Sequence, residues 1–189
     1  MKKLFLRLVL IAIVATVAPA AHAVEYAQIQ VSKSSISFTY KQMNVAMAGK
    51  FKKFNGQLRF DPQQVTKAMA SFDIDLNSID TGAADADTEV AGKSWFNTTA
   101  FPAAHFESGS VKAVGGNRYD VAGKLSIKGQ TRDIIVPTTL IEQGKVAVFE
   151  GSFTIRRGDF SIGEGAWAKF DIVANDIVVK FRFTALPGK

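Results

Sequence analysis

Alternation of apolar and polar residues with period two runs through most of this sequence, and it is typical of β-strands that bury one face. The apolar positions are even-numbered in 36–41, odd-numbered in 45–51 and even-numbered again in 54–60. Because this parity changes only where a strand is interrupted, we predict a bulge or tight bend at Lys52 and Lys53. Further alternation brings the total to eight or nine predicted strands, with later ones at 70–76, 118–127, 134–141, 147–155 and 177–185.

Two features qualify this strand pattern. Pro137 lies inside a predicted strand and indicates an edge or bulge position, because proline cannot donate a ladder hydrogen bond. The segment 83–100 lacks the alternation and predicts one short helical excursion, with Asp85, Asp87 and Glu89 near the positive end of its dipole. No repeat or linker divides the chain, so an all-β fold is expected, either an antiparallel barrel or a sandwich.

The first 23 residues have the pattern of a secretory signal peptide. A basic start is followed by an apolar run from Leu8 to Val17 and by Ala21-His22-Ala23, an A-x-A cleavage site. We therefore predict a cleaved signal peptide at 1–23, one domain at 24–189 and a periplasmic location. The net charge falls from +6 to +3 without this segment, which holds three basic residues and no acid. So small a charge does not predict nucleic-acid binding.

Phenylalanine is the residue that suggests a function. Of 15 phenylalanines all but Phe5 lie beyond the signal segment, and most occupy the apolar face of a predicted strand. Glycines recur on the same face and would leave room for a ligand in an elongated cavity, since an eight-stranded barrel can hold one ligand or fill itself with side chains. A filled core with glycines at barrel bends is the alternative. These inward glycines are Gly49, Gly56, Gly123 and Gly151.

The chain resembles the YceI-like family of bacterial periplasmic proteins in the order and spacing of four segments. The first runs from Phe38-Thr39-Tyr40-Lys41 to Phe54-Asn55-Gly56, and the second from Ser78-Ile79-Asp80-Thr81-Gly82 to Phe101-Pro102. The third is 123–132, GKLSIKGQTR, and the fourth is 155–163, IRRGDFSIG. The resemblance implies an extended antiparallel lipocalin-like barrel of about eight strands with one short helical excursion.

The same resemblance implies a function in binding, transport or sequestration of an amphiphilic lipid. Its ligand would be a long polyisoprenoid, an isoprenoid quinone or a related amphiphile, held without catalysis and without a required cofactor. Two alternatives remain open, a quinone-binding redox partner of a membrane cytochrome and a ligand-free stress or structural protein. Transient membrane contact and a homodimer are also compatible with it. The sequence departs from the family at Gln42 and Glu89, often histidines there, and at Ala86, an arginine in the family pattern.

Candidate ligand contacts fall into two groups. The predicted hydrophobic wall consists of Phe38, Tyr40, Phe51, Leu58, Phe72, Phe106, Leu125, Phe153 and Phe181. The predicted mouth, drawn from residues outside the regular strands, consists of Trp95, Phe96, Arg157, Phe160 and Trp167. Of the neighbours Arg156 and Arg157, one is expected either to turn inward and meet an anionic or phenolic head group or to form a salt bridge with Asp159 or Asp176.

Catalytic and metal chemistry have little support in the sequence. There is no cysteine, and His105 is the only histidine beyond the signal segment, so we interpret it as structural. The acids at 85–89 lack the glycine and terminal glutamate of an EF-hand loop. We therefore predict no metal site and no enzymatic activity.

Overall fold

The structure is a computed structural model and describes residues 24–188, so the predicted signal peptide at 1–23 lies outside the described residues. The described chain folds into one helix, α1 (Ala84–Ala91), and eleven strands. The strands are β1 (Tyr26–Ile29), β2 (Ser35–Gln42), β3 (Val45–Phe51), β4 (Phe54–Arg59), β5 (Met69–Asp75), β6 (Ile79–Asp80), β7 (Ala103–Gly115), β8 (Arg118–Ile127), β9 (Gln130–Gln143), β10 (Val146–Arg156) and β11 (Asp176–Pro187).

All eleven strands belong to one antiparallel sheet that curls into a barrel. Its order is β4-β5-β7-β8-β9-β10-β11-β2-β3-β6, with β1 paired to β11. Tyr26 of β1 and Phe60, just after β4, exchange two backbone hydrogen bonds of 2.8 and 3.0 Å, which join the two sides of the sheet at one end. The predicted all-β barrel is confirmed. The structure has more strands than the predicted eight or nine. β1 and β6, with four and two residues, are too short to be recognised by alternation.

The predicted break at Lys52 and Lys53 is also confirmed. β3 ends at Phe51 and β4 begins at Phe54, and between them both lysine amides turn to Ser78. The Lys52 amide donates to the Ser78 carbonyl at 3.0 Å, and the Lys53 amide donates to the Ser78 hydroxyl at 2.9 Å. The bend carries the chain from pairing with β2 to pairing with β5, and it restores the inward direction of the next apolar residue.

The sequence predicts Pro137 at an edge or a bulge position. The edge position is wrong, because β9 has a paired strand on each side. β9 pairs with β8 along its length, and Pro137 lies opposite Asp120. The ladder between β9 and β10 ends at the pair of Thr138 and Gly151, so it stops one residue short of Pro137. Proline is therefore tolerated because its position lies beyond the hydrogen bonds to β10.

An aromatic cluster closes the end of the barrel at which β1 lies. The Phe60 ring packs edge-on against Tyr119 and Phe149, with ring centroids 5.0 and 5.2 Å apart. Tyr26 packs edge-on against Phe149 and donates a hydrogen bond from its hydroxyl to Glu142 Oε1 at 2.9 Å. Burial and this carboxylate raise the pKa of Tyr26 to about 12.

We expect this tyrosine to make the protein sensitive to alkali. Because the Tyr26 pKa is about 12 in the folded state and about 10 when unfolded, the unfolded chain loses its proton first. The free energy of unfolding should therefore fall between pH 10 and 12, with Tyr26 contributing up to about 2–3 kcal/mol. Urea titrations at pH 8, 10 and 11.5 measure it, and Tyr26→Phe should have the shallower decline. An equal decline in both proteins would contradict the assignment.

Candidate functional site

An apolar cavity of about 300 Å³ lies inside the barrel above the aromatic cluster. Strands from around the whole barrel contribute to its wall, and α1 and the segment before β11 contribute at the end opposite β1. The polar or charged side chains in its lining are few, namely Gln42, Thr81, Glu89, Thr138 and Arg157, apart from the tyrosines and tryptophans. The structure places all nine predicted wall residues in this lining: Phe38, Tyr40, Phe51, Leu58, Phe72, Phe106, Leu125, Phe153 and Phe181.

Aromatic rings stack across the interior where β4 and β11 share no backbone ladder. The rings of Phe72 and Phe183 are stacked at 4.1 Å with an interplanar angle of 12°. Phe181 stacks on Phe183 at 5.2 Å, and Phe54 approaches the same ring at 5.7 Å. These ring contacts join β4 and β5 to β11, strands that share no backbone ladder with it.

The inward glycines do not enlarge the cavity, and that part of the sequence interpretation is wrong. A Cβ added to Gly49 would lie 2.3 Å from the Phe38 ring, and one added to Gly56 would lie 2.3 Å from the Phe72 ring. At Gly151 a Cβ would meet the Phe181 ring at 2.7 Å. Each glycine instead lies under a phenylalanine ring from the neighbouring strand, and Gly123 lies under Phe106 in the same way.

The open end of the cavity is framed by α1 and the short 3₁₀ segment Gly165–Trp167. The Trp167 indole N–H donates to Glu89 Oε1 at 2.8 Å, which links that segment to α1. Trp95 packs against Trp167 with ring centroids 5.4 Å apart. Gln42 and Ala86 line the cavity as well, so all three positions that depart from the family pattern belong to its wall.

Two polar groups near this opening have shifted pKa values. Burial and the negative charge of Asp87 raise the pKa of the Tyr40 hydroxyl. Asp87 itself accepts hydrogen bonds from the backbone N–H and the hydroxyl of Thr81, both at 2.7 Å, and these lower its pKa. Asp87 thus attaches α1 to the end of β6, whereas Ala83 at the N-cap offers no side-chain cap.

Arg157 forms no salt bridge within residues 24–188, and the salt bridge expected of one of the two neighbouring arginines is formed by Arg156. Its side chain is buried, with the residue only 1% exposed. The guanidinium donates to six backbone carbonyls at 2.8 to 3.3 Å, those of Ile162, Gly163, Trp167, Lys169, Val173 and Ala174. Arg156 forms the salt bridge instead, with Asp159 at 3.2 Å.

These carbonyls explain how a cation is held in the interior. Burial lowers the Arg157 pKa, but a guanidinium keeps its proton in proteins. The carbonyl dipoles surround its positive charge, and the rings of Phe170 and Trp95 lie 4.8 and 5.4 Å from it. Arg157 lines the cavity yet has no donor left for a ligand, and it organises the segment 157–174 beside the mouth.

Trp95, Phe96 and Trp167 line the cavity as predicted for the mouth, whereas Phe160 does not. Phe160 is 2% exposed and packs in the core cluster that contains Leu76 and Ile162. Its place in a non-strand segment misled the prediction because that segment folds inward around Arg157. Val90, Ile162 and Val173 line the cavity and were missed, since none lies on an alternating strand.

His105 lies on the outer face of the barrel. Its Nδ1 is 2.7 Å from Asp73 Oδ1 on the adjacent strand β5, and both side chains are exposed. Within residues 24–188 no three or more His, Asp or Glu side chains converge to form a metal site. In the same range no helix has the length and apolarity needed to cross a membrane.

The fold and the cavity define an antiparallel β-barrel with an apolar interior, one end closed by aromatic residues and the other framed by a helix. A YceI-like domain matches residues 28–185, and the chain belongs to that family. A UPF0312 protein of Pseudomonas aeruginosa is 33% identical over 134 residues, which cover 67% of this chain and 70% of the relative.

Solved structures show the same fold. BcnA of Burkholderia cenocepacia has a TM-score of 0.82 and 39% identity, covering 84% of this chain and 99% of BcnA. A polyisoprenoid-binding domain from Saccharophagus degradans has a TM-score of 0.67 and 16% identity, covering 88% of this chain and all of that domain. The second likeness extends to the fold alone.

Proposed function

We propose that this protein binds one long-tailed amphiphile in its barrel, with the tail in the cavity and the head group at the end framed by α1. The observation that carries the proposal is the lining of the cavity, which is almost wholly aliphatic and aromatic. An isoprenoid tail offers only methyl, methylene and alkene surface, so a wall of this kind suits it. The polyisoprenoid-binding domain from Saccharophagus degradans supports this ligand class by its name and fold.

Hydrophobic burial supplies the binding energy. Each buried methylene contributes about 0.8 kcal/mol, so a chain of several isoprene units can offset the loss of its translational freedom. The aromatic cluster around Phe60 limits how deep the tail reaches. In this proposal the protein works in the periplasm after removal of residues 1–23, and it carries or sequesters the lipid without chemical change.

A mutation at the mouth tests this function. Ala86 is a half-buried residue of α1 in the cavity lining, whereas Ala84 is exposed on the same helix and lies outside the lining. We expect Ala86→Trp to fill the opening and lower ligand occupancy at least about tenfold, while Ala84→Trp keeps it. Native mass spectrometry of protein purified without detergent measures occupancy, and organic extraction identifies the ligand.

The outcomes separate the alternatives. One extractable isoprenoid per chain, lost in Ala86→Trp only, supports the proposal. A redox-active quinone in the extract would point to the electron-transfer alternative. Wild-type protein that carries no lipid and takes up no geranylgeraniol would overturn lipid binding and favour a ligand-free role.

A further inference from the structure

One polar atom of the cavity lining is buried and has no partner. Trp95 is 7% exposed, and its indole Nε1 has no hydrogen-bond acceptor within residues 24–188. It is the one buried side-chain nitrogen or oxygen of the described chain in that state. An unpaired buried N–H costs free energy, and tryptophan N–H groups ordinarily find an acceptor when they are buried. Since Trp95 lines the cavity, a ligand oxygen placed beside the indole would supply the missing acceptor.

The other polar groups beside Trp95 have partners without a ligand. The Trp167 indole N–H already donates to Glu89 Oε1 at 2.8 Å. Glu89 is exposed, so water solvates its carboxylate whether or not the cavity is filled. Each guanidinium nitrogen of Arg157 donates to backbone carbonyls. None of these groups needs a ligand to complete its hydrogen bonds, whereas the Trp95 N–H does.

The neighbours of Trp95 hold its ring at the end of the cavity where we place the head group. Its backbone N–H donates to the Gly92 carbonyl at 3.0 Å, just after α1. The ring packs against Trp167 with centroids 5.4 Å apart, and the Arg157 guanidinium lies 5.4 Å from its centroid. A donor held in this way is preorganised, so little side-chain freedom is lost when an acceptor arrives.

We propose that the Trp95 indole N–H binds a neutral acceptor oxygen of the ligand head group, such as the carbonyl of a ketone, ester or amide. This inference rests on the proposed lipid binding and names the head-group class for the same cavity. One donor is enough for a carbonyl oxygen. A buried phosphate or carboxylate would need several donors, and those of Arg157 are already engaged. An ammonium has no acceptor, so it would leave the indole N–H unpaired.

Two ligands with the same tail test the inference, namely the ketone geranylgeranylacetone and the hydrocarbon in which a methylene replaces its carbonyl. The chain has two tryptophans, so a ¹⁵N-labelled sample gives two indole N–H signals in an NMR spectrum, and Trp167→Phe assigns them. We expect the Trp95 indole proton to move downfield when the ketone binds, because it then enters a hydrogen bond. The hydrocarbon should produce no downfield shift.

Trp95→Phe keeps an aromatic ring in the wall and removes the N–H. It should weaken binding of the ketone about tenfold more than binding of the hydrocarbon, since a buried carbonyl loses its donor. Trp167→Phe is the matched control, because the Trp167 N–H is engaged by Glu89. It should change both dissociation constants by the same factor. Native mass spectrometry titrations measure these constants.

The outcomes separate this inference from the proposed function. A Trp95 indole signal that the bound ketone does not move downfield, or equal weakening of both ligands by Trp95→Phe, would overturn the role of Trp95 while leaving lipid binding intact. Geranylgeranylamine that binds as tightly as the ketone would overturn the preference for an acceptor. Failure of all these ligands to bind would overturn the proposed function itself. If Trp95→Phe does not fold, the indole spectrum of the wild-type protein decides.

Discussion

Replacing Arg157 with methionine should lower the free energy of unfolding by about 3–5 kcal/mol, because several buried carbonyls lose their donor at about 1–3 kcal/mol each. Methionine fills similar volume but donates nothing, so six carbonyls between Ile162 and Ala174 lose their donor. Buried acceptors without partners each carry a desolvation cost. The segment 157–174 should loosen, and the Trp167 fluorescence should shift toward the red.

Arg156→Met provides the control in the adjacent residue. Arg156 is exposed, and within the described part of the chain its salt bridge is the one to Asp159, an interaction that contributes little at the surface, so its loss should cost less than about 1 kcal/mol. Arg157→Lys keeps the charge with fewer donors and should fall between the two, which keeps the comparison usable if Arg157→Met does not fold. Urea unfolding measures all three. A cost for Arg157→Met within 1 kcal/mol of that for Arg156→Met would refute the role of the carbonyl network.

The second large effect is expected from a single methyl group. Gly151→Ala would place a Cβ 2.1 Å from the Pro137 carbonyl oxygen and 2.7 Å from the Phe181 ring. The backbone atom cannot rotate away as a side chain can, so β9 and β10 must separate. We expect a loss of about 2–3 kcal/mol, as for other overpacked sites, measured by thermal or urea unfolding.

Gly109→Ala adds the same methyl group to a strand glycine that has space for it. Its Cβ would come no closer than 3.8 Å to the Ala122 carbonyl oxygen, and alanine reduces the freedom of the unfolded chain. This variant should be neutral or more stable by a few tenths of a kcal/mol. If Gly151→Ala cost no more stability than Gly109→Ala, the close contact between Gly151 of β10 and the Pro137 carbonyl of β9 would be refuted.

Period-two alternation was sufficient to predict the direction of most side chains. It assigned all nine wall residues to one face, and the parity change located the bend at Lys52. It does not depend on which strands are neighbours, so it could not show that a ring covers Gly49. The environment of Arg157 was also out of reach, because its acceptors are backbone carbonyls of an irregular segment, and any sequence provides those.

The covered glycines also bear on how the strands align. Three of them stand directly opposite a phenylalanine in the ladder: Gly49 opposite Phe38, Gly56 opposite Phe72 and Gly151 opposite Phe181. Sliding one strand by two residues would keep every side chain on its proper face, so alternation alone permits it. It would also push each ring against a side chain and leave a gap above the glycine. The glycine–phenylalanine pairs therefore fix the stagger of the strands, and the stagger together with the number of strands sets the diameter of a barrel.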